Sequence, residues 1–218
     1  MGLFHLVSIC YYVLMKKNIY PGKFIVLEGL DGSGQSTESA FLRDFLIGKN
    51  HKVLMTKEPT IISEAGKKIR QVLEEKEKIS PLELQKLFVK DRKLHLDNIV
   101  IPNLKDGKIV ISDRYFFSTF AYGVSDGLDL NLLIEMNNDF LIPDLTFFLD
   151  VNQDVCIKRV EERGAKKTLF EKREKLKKVY ENYKKIMKNF ENVYSINGEL
   201  TLNKVFEEIK KYVEKKCC

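Results

Sequence analysis

The chain alternates between short apolar runs and longer segments in which apolar residues recur every three or four positions. The short runs are rich in Val, Ile, Leu and Phe and indicate buried strands, whereas the longer segments indicate helices with one apolar face. Strands separated by helices are typical of a parallel sheet with helices on both faces. The pattern predicts five strands, at 24–28, 52–56, 108–112, 145–151 and 192–196.

Residue types at the ends of the periodic segments support the helix assignment. Gly48 and Asn50 follow the first segment, and Ser80 with Pro81 suits an N-cap and a first helical position. No internal repeat is present, so we expect one α/β domain built on a five-stranded parallel sheet flanked by helices. Helices are predicted at 35–47, 64–75, 81–104 and 202–214, and further helices are predicted between the last three strands.

The N-terminal stretch 1–18 differs from the rest of the chain. It is apolar up to Met15, and Lys16 and Lys17 follow. The apolar part is shorter than the roughly 17–25 residues of a transmembrane helix, and a secretory signal carries its positive charges before the apolar run. We interpret 1–18 as an extension, with Met15 as an alternative start and a short membrane anchor as a second alternative, and place the domain at 19–218.

Composition narrows the class of protein only in part. The chain has 218 residues, 44% of them hydrophobic, which is enough for one domain with a sizeable core. Its net charge of +6 favours binding to an anionic partner, such as a nucleotide, nucleic acid or an acidic membrane surface, and charge alone does not distinguish these partners. The four cysteines form no C-x-x-C pair and no zinc-ligand spacing, which favours a reducing, cytoplasmic location.

A glycine-rich segment follows the first predicted strand and leads into a helix. Glycines let the backbone wrap so that its N–H groups face phosphate oxygens, and the helix start adds a positive dipole end. The Ser36 hydroxyl would reach Mg²⁺, and the strand–loop–helix order predicts an ATP site with Mg²⁺. The residues predicted to bind ATP are Gly29, Asp31, Gly32, Ser33, Gly34, Gln35, Ser36 and Thr37.

Gln35 departs from the G-x-x-x-x-G-K-[ST] pattern, which has lysine at its position. Glutamine donates hydrogen bonds but carries no charge. Loss of one preorganised donor to a transition state costs roughly 2.7–4 kcal/mol, or 10²–10³-fold in rate. Two interpretations stay open: other cations compensate, or the protein is a nucleotide-binding regulator with weakened catalysis.

Four further segments accompany the phosphate loop: T-K-E-P-T at 56–60, L-F-x-x-x-R at 87–92, S-D-R-Y-F-F-S-T-F-A-Y at 112–122 and P-D-L-T-F-F-L-D at 143–150. Together with the loop, they resemble the thymidylate kinase family between residue 23 and about 206. The resemblance implies a P-loop kinase fold and phosphoryl transfer from Mg-ATP to dTMP, giving dTDP and ADP in dTTP biosynthesis. A kinase for another deoxypyrimidine monophosphate is the alternative.

Phe88 and Arg92 are four positions apart on a predicted helix and therefore share one face. An aromatic ring beside a planar set of donors suits a base, through stacking and a hydrogen bond to its edge. The resemblance assigns these two positions to thymine. His95 continues the same face but has no support from the family pattern, and we interpret it as a hydrogen-bonded structural histidine.

The resemblance also assigns residues to the phosphate and sugar of dTMP. It implies that Lys57 and Arg114 hold the phosphate, that Tyr122 packs against the deoxyribose, and that Asp31 lies near the sugar and the metal. Lys57 replaces the family's arginine and so lacks its two-pronged donor geometry. Asp113, at the end of a strand, resembles the acidic residue near Mg²⁺; capping of the next helix is the alternative.

A basic loop comprising Arg159, Arg163 and 164–167 suits a lid, predicted around 159–170, that closes over phosphates and excludes water. Some family members carry an arginine at the position of Gly32, so a cation from the lid is more necessary here. Arg163 is the first candidate and Arg159 the second, with adenine stacking or a solvated helix end as alternatives. Family resemblance further implies a homodimer; neither nucleic acid nor a membrane is expected as a partner.

Overall fold

The computed structural model of the protein describes residues 15–163 and 170–217. The strands within these residues are β1 Lys16–Lys17, β2 Lys23–Glu28, β3 Val53–Lys57, β4 Ile109–Asp113, β5 Leu141–Ile142, β6 Leu145–Asp150 and β7 Val193–Asn197. The helices are α1 Gln35–Gly48, α2 Glu64–Leu73, α3 Pro81–His95, a π-helical turn Leu96–Val100, α4 Ile101–Lys105, α5 Phe116–Ser125, α6 Leu130–Glu135, α7 Gln153–Glu162, α8 Phe170–Met187 and α9 Leu202–Cys217.

Five strands form one parallel sheet in the order β3-β4-β2-β6-β7. This confirms the predicted five-stranded sheet. Strand β2 lies at its centre, and in the register of the sheet Leu27 lies beside Asp113, which in turn lies beside Lys57. The carboxyl ends of three neighbouring strands therefore meet at one edge, where open α/β sheets bind their ligands.

The core has two layers because the side chains of β2 alternate between the faces of the sheet. Phe24 and Val26 belong to a cluster on one face, where α5 packs along α8. Ile25 and Leu27 belong to a cluster on the other face, which includes apolar residues of α1 and α9. All four side chains are fully buried, so β2 and the loop that follows it rest on a rigid support.

The single helix predicted at 81–104 is interrupted in the structure. The chain leaves the α-helical form at His95, makes the π-helical turn Leu96–Val100 and resumes as α4. Pro102 lies just after this turn; because it has no N–H and its ring crowds the preceding turn, a wider turn before it relieves the clash. The other predicted elements agree with the structure apart from their ends; for example, α9 reaches Cys217, beyond the predicted 214.

A small parallel pair of strands, β1 with β5, was not predicted, since each has two residues and no recognisable pattern. Met15 is buried in the core beside this pair, and Asn18 donates a hydrogen bond of 2.6 Å to Asp144 Oδ2. Residues 15–18, which we assigned to the extension, thus pack on the domain; residues 1–14 lie outside the described residues. In the described parts of the chain, no helix is both long and apolar enough to span a membrane.

Candidate active site

The phosphate loop, 29–34, connects the buried strand β2 to helix α1, which begins at Gln35. Gly34 is the N-cap of α1 in a left-handed conformation (φ +105°), and no side chain in the described residues caps this helix start. The first N–H groups of α1 are therefore available to an anionic ligand. Gly32 also has a positive φ, and a Cβ there would lie 2.5 Å from the carbonyl oxygen of Cys156. An arginine at that position would thus require α7 to move.

Ser36 and Asp113 meet beneath the phosphate loop. The Ser36 hydroxyl donates a 2.6 Å hydrogen bond to Asp113 Oδ2, and Lys57 Nζ lies 2.9 Å from the same oxygen. Asp113 Oδ1 is buried and has no partner among the described residues. A hydroxyl beside a carboxylate with a free oxygen is a hard-oxygen donor set and fits Mg²⁺. Tyr115, not Asp113, is the N-cap of α5, so the alternative role of Asp113 as a helix cap was wrong.

A cavity of about 390 Å³, which we call the acceptor pocket, lies between α3, α5 and the loop after β3. Helix α3 forms part of the wall, and a complete capping box fixes its start. The Ser80 side chain accepts a hydrogen bond from the backbone N–H of Glu83, and the Glu83 side chain accepts one from the backbone N–H of Ser80. The structure brings together all six residues predicted to bind dTMP, and each lines this pocket: Asp31, Lys57, Phe88, Arg92, Arg114 and Tyr122. Their individual roles stay predictions.

Arg92 is held in one orientation at the back of the acceptor pocket. Its side chain is 1% exposed, its Nε donates to Glu58 Oε2 at 2.8 Å, and its Nη2 donates to Thr119 Oγ1 at 3.0 Å. Nη1 donates to Asn137 Oδ1. Burial raises the pKa of Glu58, but the charge of Arg92 and the hydrogen bond with His95 outweigh that effect and hold the pKa below its usual value. The guanidinium is therefore fixed before any ligand arrives.

His95 completes this buried cluster. Its Nδ1 lies 3.0 Å from Glu58 Oε1 and its Nε2 lies 2.7 Å from Thr56 Oγ1. Both ring nitrogens have partners, which confirms the interpretation of His95 as a structural histidine rather than a ligand-binding one.

Arg114 connects the acceptor pocket to the phosphate loop. It adopts a positive φ of 75°, which is uncommon for a residue with a side chain and is often found at functional sites. Nη2 donates to Asp31 Oδ1 at 2.6 Å and Nη1 donates to the carbonyl oxygen of Gly29 at 2.9 Å, while Tyr122 has its ring centre 6.0 Å from the guanidinium carbon. The charge of Arg114 holds the pKa of Asp31 below its usual value.

Glu28, the last residue of β2, organises the site but was missed in the sequence. Its Oε1 accepts hydrogen bonds from the backbone N–H of Tyr115 at 2.9 Å and of Ser118 at 3.2 Å, and its Oε2 accepts one from Tyr183 Oη at 3.0 Å. Burial raises the pKa of Glu28 to about 6. This carboxyl joins β2, α5 and α8 around Arg114. A carboxylate ending an otherwise apolar strand was the available signal.

A second cavity, of about 410 Å³, lies between the phosphate loop, the end of α7 and the turn before α9; we call it the donor pocket. Arg159 and Arg163 both line it. Arg159 lies within helix α7, which corrects its assignment to a loop, and its Nη2 donates to the carbonyl oxygen of Gly198 at 3.2 Å. Arg163 is exposed at the C-cap of α7. Residues 164–169, the centre of the predicted lid, lie outside the described residues.

Gln35 and Glu38 lie one turn apart on the buried side of α1. Gln35 is 5% exposed and Glu38 is 1% exposed. Gln35 Nε2 and both carboxyl oxygens of Glu38 are without a hydrogen-bond partner in the part of the chain that the structure describes. Burial raises the pKa of Glu38 to about 7. Glu38 lines the donor pocket and was not singled out from the sequence.

The two pockets meet at the carboxyl end of β2. Asp31 of the phosphate loop lines the acceptor pocket, and Gly32, Ser33 and Gly34 of the same loop line the donor pocket. A phosphate loop after the central strand of a parallel sheet, with a cationic cavity beside it, is suited to phosphorylated ligands. This fold and site define an α/β protein of the P-loop kinase type.

Comparison with known proteins identifies the family. The family profile described as "Thymidylate kinase" matches residues 27–209, and the chain belongs to the thymidylate kinase family. It is 38% identical over 191 residues to a "Probable thymidylate kinase" of Archaeoglobus fulgidus, covering 87% of this chain and 94% of that protein.

Two further relatives agree with this assignment. A "Probable thymidylate kinase" of Pyrococcus horikoshii is 45% identical over 148 residues, covering 66% of this chain and 72% of that protein. A "Thymidylate kinase" of Desulfotalea psychrophila is 36% identical over 159 residues, covering 72% and 78%.

Proposed function

We propose that this protein transfers a phosphoryl group from Mg-ATP to dTMP, giving ADP and dTDP, in the biosynthesis of dTTP. The observation that carries the proposal is the acceptor pocket, because the side chains assigned to the base and to the phosphate of dTMP line one cavity beside the phosphate loop. Membership of the thymidylate kinase family supports the same acceptor. The regulator and the kinase for another acceptor are not favoured by these relatives.

On the donor side, the N–H groups at the start of α1 bind the phosphates of ATP, and the donor pocket receives its nucleoside part. Ser36 and Asp113 are the residues that would hold Mg²⁺, since their oxygens are adjacent and Asp113 Oδ1 has no partner among residues 15–163 and 170–217. When bound, the ion neutralises charge on the transferring phosphates. Arg159, beside the loop, stacks on the adenine or supplies charge.

On the acceptor side, Phe88 stacks on the thymine ring and Arg92 donates to its O4 carbonyl. Within the described residues, Nη1 of Arg92 donates to Asn137 alone, which leaves its second N–H for the base. Lys57 and Arg114 bind the phosphate, and Tyr122 packs against the deoxyribose. The acceptor phosphate is already an anion, so transfer requires alignment and charge neutralisation rather than a strong general base.

Gln35 leaves the site without the usual lysine charge. Lys57 and Arg114 lie on the acceptor side, and Arg163 lines the donor side. We assign the compensating charge to Arg163 first and Arg159 second, because both border the cavity beside the phosphate loop. The buried carboxamide of Gln35 adds a hydrogen-bond donor without charge.

The test is an ADP-release assay of the purified protein with Mg-ATP and a panel of nucleoside monophosphates. We expect the highest kcat/KM with dTMP, and a strong loss of turnover in Ser36→Ala, which removes a metal ligand. Tight ATP binding without turnover of dTMP would overturn the proposal and favour a regulator. The homodimer and the cytoplasmic location stay predictions; sedimentation velocity tests the first.

A further inference from the structure

Gln85 lies on the same face of α3 as Phe88 and Arg92, three and seven positions before them. All three side chains line the acceptor pocket. Phe88 and Arg92 were singled out in the sequence, whereas Gln85 belongs to none of the motifs. Gln85 places a neutral amide, which has both a hydrogen-bond donor and an acceptor, beside the two residues assigned to the base.

The amide of Gln85 is buried without a complete set of partners. The residue is 1% exposed, and its Oε1 has no hydrogen-bond partner among the residues that the structure describes. Buried amide oxygens are normally paired, because leaving one unpaired is unfavourable. A donor on a ligand in the acceptor pocket would satisfy this oxygen.

Gly123 provides the space for this arrangement. A Cβ at Gly123 would lie 3.5 Å from Cδ of Gln85 and 2.7 Å from Cδ1 of Leu133. The carboxamide of Gln85 therefore lies against the bare backbone of α5, next to Tyr122. This position is between α3 and α5, both of which line the acceptor pocket.

The two residues assigned to the base, Phe88 and Arg92, leave one feature of thymine unmatched. A thymine edge presents the N3–H donor between two carbonyl acceptors. Arg92 has donors only and cannot accept from N3–H, and Thr119 Oγ1 already accepts one hydrogen bond from Arg92. Gln85 Oε1 is an acceptor without a partner among the described residues, and its side chain lines the same pocket.

We propose that Gln85 is a specificity-determining residue that accepts a hydrogen bond from N3–H of the acceptor base. Cytosine has no hydrogen at N3 and so cannot donate to Gln85. Its C4 amino group is a hydrogen-bond donor, as Arg92 is, so these two groups cannot pair. Gln85 and Arg92 together therefore select a base with N3–H and a carbonyl at C4. This inference rests on the proposed function, since it requires a pyrimidine monophosphate in this pocket.

The test compares the Kd values of dTMP and of its N3-methyl analogue by isothermal titration. Wild-type protein should bind dTMP more tightly, since the analogue has no N3–H. Gln85→Met, which keeps the length of the side chain without an amide, should raise the Kd of dTMP about 3–10-fold, the effect of one hydrogen bond. It should also reduce the preference for dTMP over the analogue and leave the Kd of ATP unchanged. Lys86→Met, on the exposed side of α3, is the matched control and should change neither value.

Two results would overturn the proposal. The first is equal binding of dTMP and the N3-methyl analogue by wild-type protein, which is decisive even if Gln85→Met does not fold. The second is an equal loss of affinity for both ligands in Gln85→Met, because that pattern indicates a structural role. Failure of the wild-type protein to bind dTMP at all would instead refute the proposed function, so the two failures are distinguishable.

Discussion

Replacement of Glu38 by glutamine should stabilise the protein at alkaline pH and have little effect at acidic pH. The carboxyl group is 1% exposed, and both its oxygens are unpaired within the described residues. Its ionised form is therefore poorly solvated in the folded protein. Glutamine has nearly the same shape and never carries a charge, so the substitution isolates the cost of ionisation.

The size of the effect follows from the shift of the pKa. Burial raises the pKa of Glu38 from 4.5 to about 7. The folded state then binds more protons than the unfolded state between these values, so stability falls as the pH rises through this window and levels off above it. At about 1.4 kcal/mol per tenfold change in the ionisation constant, the upper limit is about 3.5 kcal/mol. Solvent that reaches the group through the donor pocket reduces this to about 1–2 kcal/mol.

The assay is urea unfolding of wild-type protein and Glu38→Gln without nucleotide, at pH 5, 6, 7 and 8. The variant's advantage in free energy of unfolding should grow by about 1–2 kcal/mol from pH 5 to pH 8. Other groups with raised pKa values, such as Glu28, are present in both proteins and cancel in the difference. Glu181→Gln, on the exposed side of α8, is the control and should show no such growth. A difference that does not change with pH would refute the reasoning.

Three further predictions concern single residues. Gln35→Lys should leave kcat with Mg-ATP and dTMP intact or raise it; a large loss would mean that Gln35 makes an unrecognised contact. Arg92→Ala should raise the KM of dTMP far more than that of ATP, and equal effects would contradict its place in the base pocket. Urea unfolding of Arg92→Ala should also show a loss of about 3–5 kcal/mol, because Glu58 stays buried without its partner. Gly66→Ala should lower the free energy of unfolding by about 1–3 kcal/mol, since a Cβ there would lie 2.0 Å from Thr60 O; an unchanged midpoint would contradict this.

Elements that depend on local pattern were predictable. The five strands of the sheet and the phosphate loop are encoded by short apolar runs and by glycines between a strand and a helix. The acceptor residues were found through family resemblance, and the structure places them around one cavity. The π-helical turn before Pro102 and the two-residue pair β1 with β5 were missed, because neither has a periodic signal long enough to detect.

The sequence by itself therefore determined the order of strands and helices, the phosphate loop and the set of candidate side chains, since these are properties of neighbouring residues. Only the tertiary structure decided the partners of the buried polar groups. Glu28 accepts a hydrogen bond from Tyr183, 155 positions away, and Arg92 donates one to Asn137, 45 positions away. It also decided which polar atoms are left unpaired at a pocket wall, as in Gln85 and Glu38. Contacts between distant segments depend on how whole layers pack, which no local pattern of residues encodes.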